Sequence, residues 1–240
     1  MSQKKGSILL KLLKVFILNT IILLVSTVLL QIIQMFFSIY IANTIGEEAV
    51  GVFSLVMSVY MFGITLASAG INISATRVVS EELACQNEIG AKKAAKRCIF
   101  FSLIFGVCAS SIFFISADFI TIHCLHNHIS KNVIYLICIA LPFISMSSAI
   151  NGYFTAVRRV YKNAFAKFFE EFVKIACTFL FLKSFMPDGI DYTCYSLILA
   201  DVISEITSFL HLYILYIRDK RGSLIESRYK DLDSYNRRIL

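Results

Sequence analysis

VFILNTIILLVSTVLLQIIQMFFSIYIANTIG, residues 15–46, runs 32 positions without Asp, Glu, Lys or Arg. A helix rising 1.5 Å per residue needs about 20 residues to cross roughly 30 Å of hydrocarbon, so this run is long enough to span a bilayer. Residues 49–76, 98–117 and 132–157 form three more such runs, of 28, 20 and 26 residues. Two further segments are long and mostly apolar but carry charges. Residues 164–182 contain Lys167, Glu170, Glu171 and Lys174; residues 192–217 contain Asp201 and Glu205. Transmembrane strands would be about 9–11 residues long and alternate in polarity, which none of these runs does. Helices satisfy their own backbone groups in lipid. The expectation is an all-α, polytopic membrane protein with six transmembrane helices at about 12–43, 49–79, 96–118, 130–157, 164–184 and 192–217. These occupy residues 1–217, and a polar tail or linker follows at 218–240.

Composition agrees. Of 240 residues, 58% are hydrophobic and 16% charged, where a soluble domain carries about 25% charged. Mean hydropathy is +0.74. A chain of 27.1 kDa has too little interior to hide that apolar surplus. The first run greatly exceeds the 7–15 residues of a signal-peptide core, so it is read as a retained span.

Lys and Arg set the expected orientation. With the N-terminus inside, 20 of the 23 basic residues fall on the inner side, in four groups: Lys4 to Lys14, Arg77 to Arg97, Arg158 to Lys167, and the tail. Only Lys131 and Lys183 fall outside. This asymmetry predicts a multi-pass protein of the cytoplasmic membrane with both termini cytoplasmic. The net charge of +7 then faces an anionic leaflet, and no nucleic-acid partner is needed to explain it. Membrane lipids are the expected surroundings.

Catalytic signatures are lacking. There is no Gly-rich phosphate loop, no H-E-x-x-H and no G-x-S-x-G, so no enzyme activity, catalytic residue or cofactor is expected. Seven cysteines without a C-x-x-C read as buried thiols. His123-Cys124-Leu125-His126-Asn127-His128 crowds metal-type ligands onto one loop without a second half-site. It is read as a hydrated loop, and no metal is assigned. Residues 80–97, with acids first and bases last, read as a short interfacial helix.

The informative residues are those that lipid should exclude, since a charge near the bilayer centre costs about 2.5–3.5 kcal/mol on insertion scales. Asp201 and Glu205 stand i, i+4 on one helix face. Two like charges on adjacent turns disfavour joint ionisation, which suits proton or cation coupling. Neutralisation of Asp201 by Lys174 is the structural alternative. Glu170 and Lys174 are themselves i, i+4, the favourable order for a helical ion pair. Gln31 and Gln34 share a face at i, i+3. With Asn72 they are candidates for a polar cavity, against the plainer role of interhelical hydrogen bonding.

Two stretches resemble a known family. The first is Ser68-Ala69-Gly70-Ile71-Asn72-Ile73-Ser74-Ala75-Thr76-Arg77-Val78-Val79-Ser80-Glu81. The second runs through Pro142, Asn151-Gly152-Tyr153-Phe154, Asn163-Ala164-Phe165 and Glu170-Glu171-Phe172-Val173-Lys174. They are similar to the polysaccharide-flippase branch of the multidrug/oligosaccharidyl-lipid/polysaccharide (MOP) exporter superfamily, in its stage V sporulation protein B-like group. Asn151 stands where that pattern has Arg, and Glu171 and Lys174 where it has Gln and Arg. The resemblance implies the N-terminal six-helix half of a MATE/MOP-type transporter that moves lipid-linked oligosaccharide or polysaccharide precursors in cell-wall or spore-envelope synthesis. It implies a second six-helix lobe or a homodimer partner. Gln31, Gln34, Asn72, Glu170 and Lys174 would line the substrate cavity. Asp201 and Glu205 would couple transport to an ion. A cation-coupled multidrug exporter of the same superfamily and a non-transporting half or scaffold are the alternatives.

Overall fold

The computed structural model describes residues 2–125, 131–185 and 190–220. Within them the chain is helical, without strands. In order come α1 (Ser2–Ile45), α2 (Glu47–Ser68), α3 (Ile71–Ala84), α4 (Glu88–Ile115), the single turn α5 (Ala117–Phe119) running into a π-helical turn at Ile120–Cys124, then α6 (Lys131–Ala156), α7 (Val160–Phe185) and α8 (Ile190–Lys220). Residues 126–128 of the histidine-rich loop, residues 186–189 and the tail from 221 lie outside the described residues.

Five stretches among the described residues are long and apolar enough to cross a membrane: Leu24–Ile45, Glu47–Ala84, Glu88–Ile115, Lys131–Ala156 and Tyr192–Asp219. The chain is therefore a multi-pass membrane protein. The expected count of six is met only in part. Helix α7 has the length, at 26 residues, but Lys167, Glu170, Glu171 and Lys174 take it out of the apolar class.

Two departures from the expected boundaries have local causes. The second run breaks at Ala69–Gly70, where Gly70 adopts a left-handed φ of +71° that favours glycine. The 80–97 segment is not one interfacial helix. Helix α3 ends at Ala84, and α4 starts afresh at Glu88 with Asn87 as its cap, its side chain accepting from the Gly90 amide at 2.9 Å.

Helix α6 is the axis of the bundle, packing against α2, α3, α4, α7 and α8. Its neighbours approach closely at glycines. A Cβ on Gly106 would lie 2.7 Å from Pro142 Cα, and one on Gly152 would lie 2.5 Å from the Asn72 carbonyl oxygen and 2.8 Å from Ala75 Cβ. These are the small-residue contacts that hold membrane helices together. Pro142 sits inside α6 and cannot donate to the carbonyl of Cys138. The Ser110 hydroxyl of α4 donates to that carbonyl instead, at 2.7 Å, so the proline costs no unsatisfied backbone group in lipid.

Two apolar cores result. One joins Val56, Tyr60, Phe113, Ile137, Leu141 and Ile198. The other joins Val79, Leu83, Ile150, Tyr153, Leu212 and Tyr216 at the end of the bundle where α3, α4, α7 and the C-terminus of α8 meet. Helix α1 is more loosely held, chiefly against α7 and α2, with Ile41 in a small cluster with Leu182 of α7 and Leu197 of α8.

Candidate functional site

Lys167, Glu170, Glu171 and Lys174 fall at i, i+3, i+4 and i+7 of α7. Asp201, Ser204, Glu205 and Ser208 repeat that spacing on α8. It is the stripe of an amphipathic helix, but in a membrane the stripe that must find shelter is the polar one. The two helices pack against each other and bring the stripes together. Lys174 Nζ lies 2.7 Å from Asp201 Oδ1. The Ser208 hydroxyl donates to Glu170 Oε2 at 2.7 Å. Within α7, Lys167 Nζ reaches Glu170 Oε1 at 2.8 Å, and from α1 the Gln34 amide donates to Glu171 Oε2 at 3.0 Å.

All of these groups except Ser208 line a cavity of about 350 Å³, within the ~300–1,000 Å³ usual for ligand sites. Tyr60 and Ser68 of α2 and Ser147 and Asn151 of α6 line it as well. Two lysines face four carboxylates there. Asp201 is 5% exposed and Glu171 7%, yet Asp201 Oδ2, Glu171 Oε1, Asn151 Oδ1, Ser147 Oγ and Tyr60 OH are all buried without a hydrogen-bond partner. Buried polar groups are normally satisfied, so this wall holds hydrogen-bonding capacity that no protein group uses. Glu205 also has no ion-pair or hydrogen-bond partner among the described residues.

Of the residues expected from sequence, Gln34, Glu170, Lys174, Asp201 and Glu205 lie together on this cavity. Gln31 and Asn72 do not. Gln31 stands exposed on α1, one turn from Gln34. Asn72 would have followed Ser68 on one face of an unbroken helix, but the break at Gly70 turns it away. It is exposed, and its carbonyl accepts from Thr76 at 2.8 Å. The expected Glu170–Lys174 pair is replaced by Lys167–Glu170 and Lys174–Asp201. Lys167, Glu171, Tyr60, Ser147 and Asn151 also line the cavity, although none of them was assigned to it from sequence. The i, i+3, i+4, i+7 stripe marks Lys167 and Glu171, and Asn151 stands at a position of the family pattern; nothing in the sequence marks Tyr60 or Ser147.

A second charged cluster closes the basic end. The fully buried side chain of Asp219 pairs with Arg159 and Lys162 and accepts from Tyr153 OH at 3.0 Å, tying the α6–α7 turn to the end of α8. No group of three or more metal-ligating side chains is found among the described residues.

Comparison with known proteins bears on this arrangement. A family model described as "Polysaccharide biosynthesis protein" matches residues 16–236. Stage V sporulation protein B of Bacillus subtilis (strain 168) is 22% identical over 201 residues, covering 84% of this chain and 39% of that protein. Sporulation protein YkvU of the same organism is 21% identical over 207 residues, covering 86% and 45%. Among solved structures, an outward-facing multidrug resistance MATE family transporter of the MOP superfamily superposes with a TM-score of 0.72 at 16% identity, over 91% of this chain and 50% of its own. An inward-facing structure of such a transporter gives 0.64 at 16% identity, over 80% and 45%. The chain thus has the fold of half a MATE-type transporter, and it spans less than half the length of the two sporulation proteins.

Proposed function

The chain belongs to the polysaccharide biosynthesis protein family, and from that membership we propose that it is the N-terminal lobe of a flippase for lipid-linked oligosaccharide or polysaccharide precursors. In this reading α7 is a sixth span, residues 1–217 form the lobe and residues 218–240 lead toward a second lobe or a homodimer partner. Both termini lie in the cytoplasm, and the membrane is the cytoplasmic one. The sporulation relatives point toward cell-wall or spore-envelope synthesis.

The observation that carries the proposal is the convergence of polar groups from α1, α2, α6, α7 and α8 on one hollow between apolar helices. Its unpartnered carboxylate and amide oxygens accept hydrogen bonds from sugar hydroxyls. Lys174 and Lys167 supply the cations for a phosphate. Lys174 is held by Asp201, so a phosphate that draws Lys174 away leaves Asp201 uncompensated. A proton or small cation then restores neutrality. Exchange at this pair links substrate binding to ion binding, and rocking of the two lobes about the site gives alternating access. Gln34, Glu170 and Glu171 hold the surrounding wall. Gln31 and Asn72 have no part in it.

The test is reconstitution of the complete transporter, the chain with its second lobe, in vesicles. Lys174→Ala is expected to lower transport of a lipid-linked saccharide at least about tenfold, the effect of losing one charge-assisted contact. Transport at the original rate would remove Lys174 from the mechanism.

A second reading is a cation-coupled multidrug exporter, favoured by the excess of carboxylates over lysines in the hollow. Here Asp201 and Glu205 would exchange protons for an organic cation. Efflux of a cationic dye that depends on a pH gradient and vanishes in Asp201→Asn supports this reading over the first.

A further inference from the structure

The bundle has a second cavity, of about 500 Å³, which shares no lining residue with the polar hollow. Lys96, Phe100 and Leu103 of α4 line it at i, i+4 and i+7. Met146 of α6 and Tyr213 and Tyr216 of α8 complete it. The wall is apolar except at its mouth. There Lys96 is exposed and has no ion-pair partner among the described residues. Tyr216 adds a hydroxyl buried without a hydrogen-bond partner.

Position along the helices decides what fits. All the charges of α4 lie in its first ten residues, from Glu88 to Arg97, and an uninterrupted apolar run follows. Lys96 therefore marks the level at which water gives way to hydrocarbon. On α8 the same level is marked by Tyr213 and Tyr216, just before Arg218 and Asp219. Aromatic residues favour this interfacial depth. The cleft runs from that level into the hydrocarbon region, with a cation at its mouth and Phe100, Leu103 and Met146 beneath. A ligand that matches has an anionic headgroup and an acyl chain.

We propose that the α4–α6–α8 cleft is a binding site for an anionic glycerophospholipid, with its phosphate on Lys96 and one acyl chain along Phe100, Leu103 and Met146. The site is separate from the polar hollow and does not depend on the flippase reading. Charge complementarity at Lys96, the one cation lining the cleft among the described residues, selects an anionic over a zwitterionic lipid. An ordered lipid there wedges between α4 and α8 and supports the basic end of the bundle.

The chain contains no tryptophan, which makes a direct test available. Phe100→Trp places a single fluorophore in the cleft. The full chain carrying it is reconstituted in nanodiscs doped with equal amounts of either brominated phosphatidylglycerol or brominated phosphatidylcholine. Quenching by the anionic lipid is expected at about fivefold lower mole fraction, the factor that one lysine near an anionic surface confers. Adding Lys96→Gln is expected to abolish that preference while leaving quenching by phosphatidylcholine unchanged. Phe114→Trp, at the far end of α4 and 59% exposed, reports ordinary lipid contact and is expected to show no preference. Equal quenching of Phe100→Trp by both lipids, a preference that survives Lys96→Gln, or quenching relieved by a polyprenyl phosphate and not by unbrominated phosphatidylglycerol would each overturn the assignment.

Discussion

Asp201 has one carboxylate oxygen 2.7 Å from Lys174 Nζ and the other buried without a partner. The pair is thus neutral in charge but incomplete in hydrogen bonding, a state that suits exchange better than permanent fixation. Removing one member leaves a charge stranded among helices, whereas removing both leaves an apolar contact. Lys174→Met or Asp201→Leu alone is expected to lower stability by about 3 kcal/mol. That is the low end for breaking a buried pair, since the Lys174 side chain keeps 25% exposure. The double variant is expected to recover most of the loss. Unfolding in mild detergent measures all three, and additive losses in the double variant would show that the two residues act independently. Both members were legible as anomalies in the sequence, because a charge within an apolar run stands out. Their partnership was one of two options there, since Glu170 lies at an equally good helical spacing from Lys174.

Helices α7 and α8 are amphipathic in an inverted sense: their polar stripes face inward and their apolar residues, among them Phe172, Leu180, Leu210 and Ile214, are exposed to the surroundings. This explains why α7 departs from the apolar pattern of the five apolar stretches and still packs within the bundle. Helices α3 and α6 show a different dependence, on the absence of a side chain. Gly152→Val is expected to cost about 3 kcal/mol, the upper end for overpacking, because the obstructing atoms include the Asn72 carbonyl oxygen and the Thr76 backbone nitrogen. Gly51→Ala, with nothing within 4 Å of the added carbon, is expected to be neutral or to stabilise α2 by up to about 1 kcal/mol. Melting temperatures of the two variants in one detergent make the comparison. Similar shifts would mean that the α3–α6 approach is not tight in the membrane.

On the scale of the whole molecule, α1 packs chiefly against α7 and α2 among the described residues, and its Gln34 donates to Glu171 of α7 beside the hollow. A lobe of this kind suits a transporter in which a second lobe completes the chamber. Orientation can be tested on the same scale. Cys85 is exposed in the link between α3 and α4, at the basic end. A variant with Cys85 as its single cysteine is expected to react with a membrane-impermeant maleimide in inside-out vesicles and to stay unlabelled in intact spheroplasts. Labelling from the outside would reverse the assigned topology.

The class of molecule was written in the sequence. Each charge placed in hydrocarbon carries its own penalty whatever its tertiary neighbours, so the lengths of the uncharged runs alone identify a membrane helix bundle, and the few charges within the runs identify candidate site residues. Which of those residues meet was decided by the tertiary structure. The turn at Gly70 removes Asn72 from the cavity, the packing of α7 on α8 hands Lys174 to Asp201 and leaves Glu170 to Lys167 and Ser208, and α2 and α6 bring in Tyr60, Ser147 and Asn151. The reason is physical: a partner across a helix interface depends on rotation and axial offset of two rods, and these are set by how the side chains of the two helices interdigitate rather than by any spacing along one chain.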